Sequence, residues 1–275
     1  GSVRLDETHQ NLIVDSGLDA LGIDVIHLWC GVGGGTTPPA VTDTALENQY
    51  ALVYRTGTNF TILPEIDGYP AAFTVYYDFP EGSLTGQQIN EVGIFNSDTN
   101  SVLWSRFVLP DPVTLLADES LQINYTLYSY VDLADQISTV SYDGVDYSVT
   151  VRPASIDDSQ HRGYNGEYWA ALFRDYLGGE DAPGVSETDV LPAITAPDIA
   201  GTNANSFLRD EYVPGSRELT GWALWDQDAA NFDTGWGLIT LNTSIGTWHM
   251  RWSPKIPKDL TKSVRVFFKL TWGRV

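Results

Sequence analysis

The sequence predicts an all-β protein of mainly antiparallel, sandwich-like domains with one or two short helices. Three observations carry this reading. Leu121, Ile123, Tyr125 and Leu127 alternate with Gln122, Asn124 and Thr126, the period of two that a half-buried strand requires. In ISTVSYDGVDYSVTV (137–151), Asp143-Gly144 stands between two alternating runs, the strongest short-range hairpin signal in the chain. Nine Trp and fourteen Tyr stand against only fifteen Lys plus Arg, a balance suited to pleated, half-buried surfaces.

Taken in order, residues 2–10 are polar and read as an arm. In NLIVDSGLDALG (11–22), Ile13, Val14, Leu18 and Leu21 recur near a helical period that Gly22 ends, which predicts a short helix. Residues 24–29 read as a strand. The run GVGGG (31–35) followed by TTPPAVTDT (36–44) reads as a flexible loop. No Gly-Lys-Ser/Thr follows it and no dinucleotide spacing is present, so phosphate binding is not indicated. Thr42 or Asp43 is placed to cap a short helix through Leu46 and Tyr50. Strands are expected at 51–55, 60–64 and 72–79, with a turn at Asp67-Gly68.

The stretch from Glu91 to Leu127 organises the chain. It reads as two strands separated by a polar turn at 96–100, a crossing marked by Pro110 and Pro112, and a third strand. Proline removes a ladder donor, so the crossing suits an edge and not a central strand. Arg106 lies inside an aromatic strand, and a buried Arg needs a carboxylate; Glu91 is the candidate. A similar unit closes the chain. Arg251 sits among Trp248, Met250 and Trp252, Pro254 and Pro257 follow, and Val264, Val266, Phe268 and Leu270 alternate. This predicts two β-rich domains, 1–153 and 164–275, joined by a polar linker at 154–163. In the second, YWAALFRDYL (168–177) is a helix candidate, with Trp169, Leu172, Phe173 and Tyr176 on one face. Residues 178–201 read as a long loop, after which aromatic strands resume at Trp222 and Trp236.

Charge is unevenly distributed. Eight basic and 35 acidic residues precede position 235, for −27; seven basic residues and Asp259 follow, for +6. The acidic bulk repels phosphate, which argues against nucleic acid as a partner. The basic tail, with Arg251, Lys255, Lys258, Lys262, Arg265 and Lys269, reads as an assembly contact for an acidic neighbour, including another copy of the chain. No apolar run approaches the ~20 residues of a membrane helix, and no secretion signal opens the sequence. The single Cys30 rules out an internal disulfide framework and reads as a core residue. The four His show no metal-ligand spacing, and no nucleophile elbow or metalloprotease motif occurs. No catalytic, metal or cofactor residues are therefore assigned. Asp226, Asp228 and Asp233 beside Trp222, Trp225 and Trp236 have the composition of a glycan cleft, though aspartates in turns between aromatic strands produce the same pattern.

Residues 11–22, GVGGGTTPPAVTDTAL (31–46), NEVGIF (90–95), LWSRFVL (103–109) and LADESLQINYTL (116–127) together resemble a family of bacteriophage virion proteins of the tail-fibre or tail-tip kind. The resemblance covers roughly residues 11–150 in order and spacing. It implies a β-rich, non-enzymatic component of the virion, made in the host cytoplasm, that assembles with copies of itself and with other tail proteins as a fibre, tail-tip or baseplate-attachment part. A capsid decoration or head-fibre protein is the alternative within that class. A glycan-binding or glycan-cleaving module, with a host surface glycan as partner, is the alternative outside it.

Overall fold

A computed structural model describes residues 6–21, 29–62, 71–98, 102–129, 132–153, 183–192, 201–243 and 246–274. Among the described residues the fold is nearly all antiparallel β-sheet with one short helix. Contacts divide the chain into two compact units: residues 1–59 with 74–126 and 274, and residues 60–73 with 127–273 and 275. The expected linker at 154–163 and helix at 168–177 lie outside the described residues, as do the turn at Asp67-Gly68 and positions 24–28.

The first part of the chain forms β1 (Leu12–Ile13), α1 (Asp15–Ala20), β2 (Trp29–Gly33), β3 (Gln49–Tyr54), β4 (Gly57–Ile62), β5 (Ala71–Phe79), β6 (Gln88–Phe95), β7 (Leu103–Thr114) and β8 (Leu121–Ser129). A five-stranded sheet has the order β1-β7-β6-β2-β3, and a three-stranded sheet the order β4-β5-β8. The helix is shorter than the 11–22 periodicity predicts. Leu12 and Ile13 pair instead with Arg106 and Ser105 of β7, because that edge has unpaired backbone groups to satisfy. The second expected helix, after Thr42, is absent: residues 41–48 are turns and irregular backbone.

Nor does the glycine run begin as a loop. Gly31, Val32 and Gly33 are buried within β2, between β6 and β3. A Cβ on Gly33 would lie 2.3 Å from the Asn48 carbonyl, so glycine is what lets the next segment pack this close. Val14, Leu46, Phe95 and Leu103 form an apolar cluster, with Trp29 and Leu52 against it. Full burial of each such aliphatic or aromatic side chain contributes about 1.5–3 kcal/mol.

Pro110 and Pro112 lie within β7, beyond the two residues that β1 covers. The β6–β7 ladder shifts register here, between Ile89 and Glu91. The prolines thus occupy a bulged stretch with an uncovered side, as their missing donors require. In β8, Tyr125 and Leu127 are buried while Gln122 and Asn124 are exposed, the predicted alternation.

The remaining strands are β9 (Gln136–Tyr142), β10 (Val145–Pro153), β11 (Gly184–Ser186), β12 (Thr202–Asn203), β13 (Ser206–Arg209), β14 (Glu218–Trp225), β15 (Trp236–Thr243), β16 (Gly246–Ile256) and β17 (Val264–Thr271). They form a six-stranded sheet, β12-β11-β15-β16-β10-β9, and a three-stranded sheet, β13-β14-β17. The β9–β10 turn has Asp143 at φ 51° and Gly144 at φ 75°, the two left-handed residues of a type I′ turn. The stretch expected to be a long loop contains β11, which pairs with β15. Trp225 and Trp236 are fully buried and meet edge to face, with ring centroids 5.0 Å apart.

The two closing units share a topology. The hairpin β6–β7 lies in the five-stranded sheet and β8 in the separate three-stranded one. Likewise the hairpin β15–β16 lies in the six-stranded sheet and β17 in the other.

Candidate functional site

In the first unit the polar residues converge on Glu91, which is fully buried at the centre of β6. Its Oε1 accepts the amides of Gly35 at 3.0 Å and Asn48 at 2.8 Å. Its Oε2 accepts the Glu47 amide at 3.0 Å and Arg106 Nε at 3.0 Å, with Arg106 Nη2 at 2.8 Å. Arg106, only 3% exposed, also donates from Nη1 to Asp43 Oδ2 at 2.9 Å. Glu47 Oε2 accepts the amides of Thr36 and Thr37, and Asn90 Nδ2 donates to the Gly34 carbonyl. The Glu91 partner expected for Arg106 is therefore the observed one. The sequence reading lacked the second half of the arrangement: Asp43 and Glu47 fold residues 34–48 over this pair.

Electrostatics favour the charged forms of Asp43 and Glu47. Burial pushes the Asp43 carboxyl up, but the Ala40 amide and the Arg106 guanidinium outweigh it and hold it below the ordinary range. The Thr37 amide leads in lowering Glu47, with Thr36 and Arg106 adding to it. Glu91 spends its lone pairs on three backbone amides and a guanidinium, an arrangement that fastens a loop and leaves no position for an incoming proton donor. Among the described residues no three His, Cys, Asp or Glu are grouped to hold a metal, and no helix is long and apolar enough to cross a membrane. Cys30 is buried in β2, and burial pushes its thiol up, away from the thiolate a nucleophile needs.

In the second unit the six basic residues proposed as an assembly contact have separate environments. Lys258 is 4% exposed, and its Nζ donates to the Ala229 carbonyl and to Asn231 Oδ1. It fastens the 226–235 turn from inside and presents no surface charge, a correction to its place among the residues expected to form an assembly contact. Arg251 is half-buried in β16 and donates to Thr150 Oγ1 at 3.3 Å. Lys255 donates to the Glu187 carbonyl. Lys262 faces Asp143 at 3.8 Å. Arg265 and Lys269 do share the outward face of β17, while Val264, Val266 and Phe268 are buried. Arg265 lies over the Trp222 ring at 4.4 Å, and Lys269 reaches Glu218 at 3.3 Å.

The Trp–Asp cluster is likewise divided. Trp225 and Trp236 are core residues whose indole N–H groups donate to the carbonyls of Thr202 and Ala230, so neither offers a face to a sugar. Asp226 and Asp228 lie near Lys258, where their charges offset part of the burial that lowers its pKa. A cavity among the described residues of this unit lies elsewhere. It measures about 640 Å³ and lies between the inner faces of β10 and β16 and strand β17, with Val149, Met250, Trp252, Val266 and Phe268 in its walls.

No protein-family model, no curated protein and no solved structure matches the chain.

Proposed function

We propose that this chain is a non-enzymatic structural protein of a bacteriophage virion, a tail-fibre, tail-tip or baseplate-attachment component that assembles with copies of itself and with other tail proteins. One observation carries the reading. The segments of the virion-family resemblance, residues 31–46, 90–95 and 103–109, meet in a single buried network around Glu91 and Arg106. The arrangement is that of a scaffold: a charged staple under a folded loop, its carboxylates engaged by backbone amides and Arg106 among the described residues. Burial of Trp225 and Trp236 weighs against the glycan-cleaving alternative.

The test is placement in the particle. Antibody raised against the chain, applied to purified virions of the phage that encodes it, should label the tail under electron microscopy. Labelling of the capsid would move the chain to the decoration or head-fibre alternative. Absence of the chain from purified particles by mass spectrometry would overturn the proposal.

A further inference from the structure

Among the described residues of the second unit, β9, β12, β13 and β17 end their sheets, and two of these, β17 and β9, are long strands that border a cavity. Among the described residues β17 is bonded on one side only, to β14 from Glu218↔Thr271 through Trp225↔Val264. Strand β9 likewise ends the six-stranded sheet, bonded only to β10. The cavity lies between them. Its walls take consecutive residues of both strands, 264–270 of β17 and 140–142 of β9. Consecutive residues point to opposite faces of a strand, so the opening follows the strand edges and not only the space between inner faces. Val140 is 39% exposed and Phe267 71%, so apolar surface continues onto the rim.

We infer that this groove receives an extended strand from another virion subunit, added to the edge of β17, with apolar residues at alternate positions and carboxylates between them. The inference rests on the virion reading only for the partner's origin. Backbone groups along β17 supply the ladder, and the cavity takes the inward side chains, as in strand addition generally. The outward positions set the charge. Arg265 forms no ion pair among the described residues, and Lys269 is exposed with one carboxylate partner. Residues placed opposite them across a new ladder are favoured if acidic and disfavoured if basic. The same rule argues against a second copy pairing its own β17 here about Phe267. That register sets Arg265 opposite Lys269 twice, like charge against like. Lys262 and Asp143, 3.8 Å apart, join the start of β17 to the β9–β10 turn and close one end of the groove.

The experiment uses the full chain and two synthetic peptides of about seven residues, the length of an average strand. One alternates Glu with Val, the other Lys with Val. Wild type should bind the Glu–Val peptide in fluorescence anisotropy, and hydrogen exchange should slow at β17 amides but not at β3, another sheet-edge strand. Arg265→Glu with Lys269→Glu should weaken that binding by about tenfold, as two cross-strand pairs turn from attractive to repulsive, and should accept the Lys–Val peptide instead. Circular dichroism checks that the variant is folded; if it is not, the wild-type comparison still decides. Equal binding of both peptides, or no protection at β17, would overturn the inference. So would a wild-type oligomer in sedimentation whose β17 amides are already protected, since the occupant would then be a second copy. All readouts are on the isolated chain, so their outcome is separate from where antibody labels the particle.

Discussion

Glu91 and Arg106 face each other across the β6–β7 hairpin, two positions out of direct register, with Arg106 Nε donating to Glu91 Oε2 at 3.0 Å. Neither is more than 3% exposed. A pair so placed contributes little against an apolar pair of equal volume, but losing Glu91 leaves the buried Arg106 charge with only the part-exposed carboxylates of Asp43 and Glu47. Glu91→Gln is expected to destabilise the chain by roughly 3–5 kcal/mol in urea denaturation. Adding Arg106→Met should recover part of that loss. Singles and double that sum without coupling would mean the two charges do not depend on each other.

Gly17→Ala should behave against helix propensity. Alanine in a helix interior normally gains about 0.5–1 kcal/mol over glycine. Here the added Cβ would lie 2.1 Å from the Trp104 carbonyl oxygen, so α1 would have to move off β7. A loss of about 1–3 kcal/mol is expected, the range for overpacking. A gain in melting temperature would show that the helix is not seated on β7.

Acid should act in two steps. His249 is buried, and burial, with Arg152 adding to it, lowers its pKa to about 4 from 6.5. The unfolded chain therefore takes up a proton between these values while the folded chain does not, so stability falls as pH drops from 6.5 towards 4. Asp43 and Glu47 have folded pKa values below their unfolded ones. Their contribution is present above about pH 4 and is lost as pH falls further. Urea midpoints followed against pH should show both limbs, with Asp43→Asn flattening the lower one alone. A flat profile from pH 7 to 5 would remove His249 from the account.

Charge reversal should separate Lys258 from its neighbours. Lys258→Glu places a carboxylate against the Ala229 carbonyl and near Asp226 and Asp228, and a loss of more than about 3 kcal/mol is expected, as for other unpaired buried charges. Arg265→Glu and Lys269→Glu lie on the exposed face of β17 and should each cost less than about 1 kcal/mol, the scale of surface charge effects. Equal losses in thermal melts at all three positions would contradict the burial of Lys258.

What the sequence by itself determined is local. The alternation in β8 and β17, the Asp143-Gly144 turn and the edge placement of Pro110 and Pro112 follow from strand pleat, positive φ and a missing donor, and each is written in a few adjacent residues. The Arg106–Glu91 pair was also legible, because a buried guanidinium inside an apolar strand requires an anion and few were near. Only the tertiary structure decided what covers each face. A lysine in a polar stretch looks solvent-exposed along the chain, and a tryptophan followed by aspartates has the composition of a glycan cleft, yet Lys258 turns inward to the Ala229 carbonyl and Trp225 packs on Trp236. The glycines at 31 and 33 look like a loop, but β6 and β3 hold them in a central strand. Burial depends on strands distant in sequence, and a period of two carries no record of which strand that will be.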